Sequence, residues 1–170
     1  MSSLQLVKSA ELITTAQSLD VTDCFNDGFK NYLITFNNFN SESSANTLYL
    51  RFLDSSNSAI TSGSLYNDAA LALNAGGVSE QRNAGADRIN FGTTNDDTGA
   101  NLHAKAMVFN PHVSTDYTYV LWQAANRDDL EGRKGIAVLK QTSTLKGIRI
   151  GSDNSSRKME QGIVAIYGIL

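Results

Sequence analysis

The chain has 170 residues, 41% of them hydrophobic, and a net charge of −3. That length supports one domain with a real core, and the charge excludes a broad electrostatic pull toward nucleic acid or an anionic membrane surface. A single cysteine, Cys24, excludes an intrachain disulfide.

Only 18% of the residues are charged, below the usual quarter, and 13 glycines accompany a single proline. Abundant Ser, Thr and Asn complete a polar, uncharged, turn-rich composition. It suits an all-β domain that packs against other copies or partners, not a long-helix protein. The opening Met1-Ser2-Ser3-Leu4-Gln5 lacks the basic region and apolar core of a signal peptide. The expectation is cytoplasmic synthesis without classical export.

In chain order, residues 1–12 form either a first strand centred on Gln5–Lys8 or an arm to a neighbour, with Leu4, Leu6 and Leu12 as its apolar contacts. The remainder, 13–170, reads as one β-sandwich domain. Thr14–Val21 is a second strand candidate, with Leu19 and Val21 on one face, and Asn26-Asp27-Gly28 marks a turn. Asn31–Phe39 alternates clearly, Tyr32, Ile34 and Phe36 against Leu33, Thr35 and Asn37. After a polar loop, Leu48, Leu50 and Phe52 share one face, with Tyr49, Arg51 and Leu53 on the other. Asn67–Asn74 has the chain's one helical flavour: Asn67 can cap its start and Gly76 can stop it, so a helix of at most two turns is expected there. Residues 77–99 read as a long loop with a short strand at Asp87–Phe91; a polar excursion of that length usually carries function or meets a partner.

Ala104–Asn110 alternates Lys105, Met107 and Phe109 against Ala104, Ala106 and Val108, and Pro111 ends it. In Tyr117–Gln123, Tyr117, Tyr119 and Leu121 face one way, and Thr118, Val120 and Trp122 the other. Both faces are substantial, which points to a central strand or to one covered by another subunit. A charged loop over 126–134, strands at Gly135–Leu139 and Leu145–Ile150, a polar loop over 151–161 and a closing apolar strand Gly162–Leu170 complete the chain. The closing run is too short to span a membrane and reads as a strand locked into a sheet. The fold class is therefore all-β, an antiparallel β-sandwich or jelly roll of eight to ten strands with one short helix.

No catalytic, cofactor-binding or metal-ligating set is expected. His103 and His112 flank one strand from opposite ends, a poor arrangement for a shared metal. Asp96-Asp97 sits in turn chemistry, without the glycine and distal glutamate of a calcium loop. Asp128, Asp129 and Glu131 beside Arg127, Arg133 and Lys134 read as self-neutralising loop charges. Tyr49, Tyr66, Tyr117, Tyr119 and Trp122 fit core or subunit contacts better than a sugar-stacking platform. Cys24 has no organised partner and reads as a buried structural thiol.

Three features together carry a resemblance. They are the ending Gly162-x-Val164-x-Ile166-Tyr167-Gly168; the pair Tyr32-x-Ile34-x-Phe36 and Leu48-x-Leu50-Arg51-Phe52 followed by Tyr66; and Lys134-Gly135-Ile136 ahead of Gly147-Ile148-Arg149-Ile150. In this order, from Phe29 to the end, the chain resembles small β-rich virion structural proteins of tailed bacteriophages, marine and cyanobacterial ones especially. The resemblance implies a non-catalytic β-sandwich or jelly-roll domain that assembles after cytoplasmic synthesis, commonly as a homotrimer on the head or tail of the virion. It brings no catalytic residues. The chain departs from fibre-type members in having no shaft, heptads or collagen-like run, which favours a compact knob, cement or adaptor. A trimer is then expected to bury Tyr117, Tyr119, Trp122, Ile163 and Tyr167 around its axis, with other virion proteins as further partners. The alternative role is a receptor-binding tip whose loops 74–101 and 126–133 touch host surface glycan.

Overall fold

The computed structural model describes residues 3–43, 46–94, 101–126 and 131–170. Among them are twelve strands and no helix: β1 (Leu4–Leu12), β2 (Ser18–Val21), β3 (Asn31–Ser41), β4 (Asn46–Leu53), β5 (Tyr66–Asn74), β6 (Gly77–Ala86), β7 (Ile89–Thr94), β8 (Leu102–Phe109), β9 (Thr118–Ala125), β10 (Gly132–Leu139), β11 (Gly147–Ser152) and β12 (Met159–Ile169). They form two antiparallel sheets. The larger runs β1-β12-β3-β8-β9-β10-β5-β6 and the smaller β2-β11-β4-β7. The chain crosses repeatedly between the sheets, and the long-range pairings close a β-sandwich.

Alternation builds the core. Tyr32, Ile34 and Phe36 of β3, Val164 and Ile166 of β12, Ala106 and Val108 of β8, and Val120 and Trp122 of β9 point inward and are buried. They meet Leu48, Leu50 and Phe52 of β4, Ile148 and Ile150 of β11, and Ile89 and Phe91 of β7 in one cluster. Aromatic contacts cross the layer: Phe91 lies edge-on to Trp122 at 5.2 Å, and Phe25 edge-on to Tyr32 at 4.8 Å. Glycines make room for the rings. A Cβ on Gly135 would sit 2.4 Å from the Trp122 indole across the β9–β10 pair, and Gly151, Gly162 and Gly168 abut Tyr49, Phe39 and Phe29 in the same way.

The expected short helix is absent. Residues 67–74 belong to β5, hydrogen-bonded to β10 on one side and β6 on the other. Ala and Leu are good helix formers, but intrinsic propensity is worth under about 1 kcal/mol per residue, and two flanking ladders override it. The same residues also fit period two: Ala70 and Ala72 are buried, while Leu71 and Leu73 are exposed. Gly76, expected to stop a helix, instead lies in the β5–β6 hairpin, where its N–H donates to Asn74 Oδ1 at 3.0 Å.

The expected loop over 77–99 is largely strand too. It supplies all of β6 and β7, and residues 95–100, including Asp96 and Asp97, lie outside the described ones. β6 escaped sequence reading because residues 77–82 are exposed in succession. A strand with no buried face shows no hydrophobic period.

Candidate functional site

The two outer faces of the sandwich differ. The small sheet carries a charged, paired surface. Arg149 donates two hydrogen bonds to the Asp20 carboxylate, at 2.6 and 2.7 Å, across the β11–β2 pair. Arg51 bonds the Asp87 side chain and its carbonyl, and the guanidinium groups of Arg51 and Arg88 lie 4.6 and 5.1 Å from the Tyr49 ring centre. Charges satisfied in this way describe a solvated surface.

The large sheet carries the opposite. Its pairings bring one side chain from each of the eight strands into a single row: Leu6, Tyr167, Leu33, Met107, Leu121, Ile136, Ala69 and Arg82. Seven are apolar or aromatic, and the row ends in charge at the β6 edge. Leu6, Leu121 and Ile136 are 56%, 48% and 59% exposed. A second row beside it holds Leu4, Ile169, Asn31, Phe109, Tyr119 and Val138. Next to the first row on its other side stand Lys105, Gln123 and Lys134. Over β8, β9, β10, β5 and β6 the face hollows into an open groove of about 590 Å³, floored by Met107, Leu121 and Ile136 and rimmed by Lys105, Lys134 and Arg82. Monomeric proteins seldom leave so continuous an apolar patch to water.

Of the expected interface residues, Tyr119 and Ile163 are exposed on this face, Tyr167 is half-buried within the first row, and Tyr117 is exposed just before β9. Trp122 is corrected: it is 2% exposed and belongs to the core. It shares the inward parity of Thr118 and Val120, so it cannot stand beside Tyr119 and Leu121. Of the expected anchoring residues, Leu4 and Leu6 are exposed on β1, whereas Leu12 is buried at its end. Leu33, Met107, Leu121 and Ile136 were not singled out in the sequence. Their common signal is outward parity in strands that are apolar on both sides.

The other candidates are placed as follows. His103 lies near the start of β8 and His112 beyond its end, with His112 Nδ1 3.2 Å from the Leu145 carbonyl oxygen. Glu131 pairs with Arg133, whose Nη1 also donates to Gln81 Oε1 at 3.0 Å. Arg127, Asp128 and Asp129 lie outside the described residues. Cys24 is wholly buried, and burial pushes its thiol up to about 12 despite the nearby Lys8 charge. Tyr66 is buried, its hydroxyl accepting from Phe52 N–H at 3.0 Å and donating to the Ile60 carbonyl at 3.3 Å.

No protein-family model and no curated protein sequence matches the chain. Among solved structures it is similar to a fructofuranosidase variant from Schwanniomyces occidentalis complexed with fructosylnystose, at 10% identity and a TM-score of 0.38; the match covers 98% of this chain but only 34% of the fructofuranosidase. It is also similar to a PL-14 alginate lyase from Aplysia kurodai, at 8% identity and a TM-score of 0.35, covering 86% and 72% of the two chains. An infectious bursal disease virus structure aligns over 100% of this chain and 37% of its own, at 6% identity and a TM-score of 0.19. At these levels the likenesses carry no activity, substrate or assembly over to this chain.

Proposed function

We propose that the chain is a virion structural protein of a tailed bacteriophage. It works by binding rather than by chemistry, decorating the head or attaching at the tail, and its copies meet through the outer face of the eight-stranded sheet. The observation that carries this reading is the apolar row from Leu6 to Ala69. Covering it removes Leu6, Leu121, Ile136 and Tyr167 from water together, and burial of such side chains is the main favourable term in association. The phage assignment rests on the sequence resemblance, and a trimer is the assembly that resemblance implies.

The test has two arms. Sedimentation velocity on the purified chain is expected to show an oligomer, and Leu121→Glu, which places a charge in the middle of the row, is expected to abolish the face contact and give a smaller species. Cryo-EM of the particle with and without the protein is expected to show lost density on the head or tail. A wild-type chain that stays monomeric at tens of micromolar, or particles that do not differ, would overturn the reading.

The cationic rim favours a second reading, a receptor-binding tip. Lys105 and Lys134 border the apolar groove floor, beside Arg82 already paired with Glu80, and the two lysines suit an acidic host glycan such as lipopolysaccharide. Salt-sensitive binding of the isolated protein to that glycan, lost in Lys134→Ala, would support it over a purely structural role.

A further inference from the structure

The large sheet ends in two edges, β1 and β6, and they are built differently. β1 is irregular: its pairing with β12 shifts register between Leu6 and Lys8. A bulge and a lysine are both devices that blunt an edge. β6 has neither. From Gly77 to Ala84 its pairing with β5 is regular, and the one shift comes at Gly85. It has no proline, and residues 77–82 are all exposed. Outside its ladder with β5, its one backbone–backbone hydrogen bond among the described residues is at the far end, from Ser64 N–H to the Gly85 carbonyl. An edge this long and regular is a template for another strand.

The side chains specify which strand. Glu80 and Arg82 project on the same outer face, with Arg82 Nη2 donating to Glu80 Oε2 at 2.6 Å. In an antiparallel pair, residues directly opposite share a face, so two identical strands can meet about a two-fold axis only at a residue, not between residues. Centring on Glu80 or on Arg82 puts like charges opposite each other. Centring on Gln81 puts Glu80 opposite the partner's Arg82 and Arg82 opposite the partner's Glu80. It also sets Val78 against the partner's Ala84 and Ser79 against the partner's Asn83. Among two-fold registers on this strand, only the one at Gln81 joins opposite charges. The exposed Leu73 stands beside Val78 on β5, at each end of the new seam.

We infer that β6 pairs edge to edge with β6 of a second copy, antiparallel and centred on Gln81, joining the two large sheets into one continuous sheet of sixteen strands. The two-fold axis is perpendicular to the sheet, so both apolar rows face the same side. They are linked across a four-charge checkerboard of Glu80 and Arg82. This contact is separate from the face contact proposed above and stands without it.

The experiment combines charge reversal with cross-linking in the full chain. Glu80→Arg and Arg82→Glu each set like charges opposite one another twice per dimer. Each is expected to weaken the two-fold association roughly tenfold by sedimentation. The double reversal, which restores opposite charges, is expected to recover wild-type affinity. Gln81→Cys places two thiols at the axis and is expected to give a covalent dimer with diamide as oxidant, whereas Leu71→Cys, one strand away, gives none. The buried Cys24 leaves a low background. A double reversal as weak as the single changes, or a Gln81→Cys chain that stays monomeric under oxidation, would overturn the inference. Combining Leu121→Glu with Gln81→Cys separates the two contacts: the face variant abolishes the face oligomer and leaves the cross-link.

Discussion

Asp68 is 6% exposed on the inner side of β5, and its carboxylate accepts from Asn83 Nδ2 at 3.2 and 3.0 Å. Burial pushes its pKa above the ordinary carboxylate value, and the Asn83 hydrogen bonds offset only part of that. The sign of the linkage follows. Below the unfolded-state value both states hold the proton, and the group does not weaken folding. As pH rises through that value the unfolded chain ionises first, and stability falls until the folded-state pKa is passed. Asp68→Asn keeps an acceptor for Asn83 and removes the charge. It is expected to raise stability at pH 7 by on the order of 1 kcal/mol, about 3 °C in Tm for a chain of this size. Thermal melts across pH check this: the gain should vanish near pH 3, and a gain that grows on acidification would show that burial is not the dominant cause. Parity was legible at this scale, since the two faces of β9 follow from alternation alone. Placing Trp122 at an interface ignored that parity, and only the close approach of Gly135 shows why the ring needs the interior.

At the scale of elements, strands with one buried face were readable, and strands without one were not. β3, β4, β8 and β9 announce themselves by alternation, whereas β6 has no buried side to alternate against. The Ala- and Leu-rich β5 satisfies both periods locally, and its partners β6 and β10 decide between them; β10 lies some sixty residues away in sequence, beyond any local window. β1 poses the element's remaining question, because the sequence allows it to be an arm. Its ladder with β12 runs from Leu4 opposite Ile169 to Leu12 opposite Gly162. Removing residues 1–12 would therefore strip one partner from the apolar β12 and turn Ile163–Ile169 into an exposed edge. The truncated chain is expected to melt lower and to scatter light at concentrations where the full chain stays clear. A truncated chain that matches the full-length Tm and remains soluble would mean that β1 contributes nothing to the fold and can serve wholly as an arm.

For the whole molecule, the asymmetry of the sandwich matters more than its strand count. Asp20, Arg149, Arg51 and Asp87 pair on the small sheet and leave little for a partner to gain. The row from Leu6 to Ala69 on the large sheet leaves a partner much to cover. Outward parity marks its members one by one, but not the row itself, because they come from seven strands whose order is set by long-range pairing. An oligomer that buries it gains stability by mass action. For a trimer, a tenfold rise in concentration adds about 1 kcal/mol per copy, or roughly 2–4 °C in Tm. Calorimetry over a hundredfold concentration range is expected to show that rise in the wild-type chain and a clearly smaller one in Leu121→Glu. A flat wild-type Tm would leave the row in water in the isolated protein and overturn the face contact between copies.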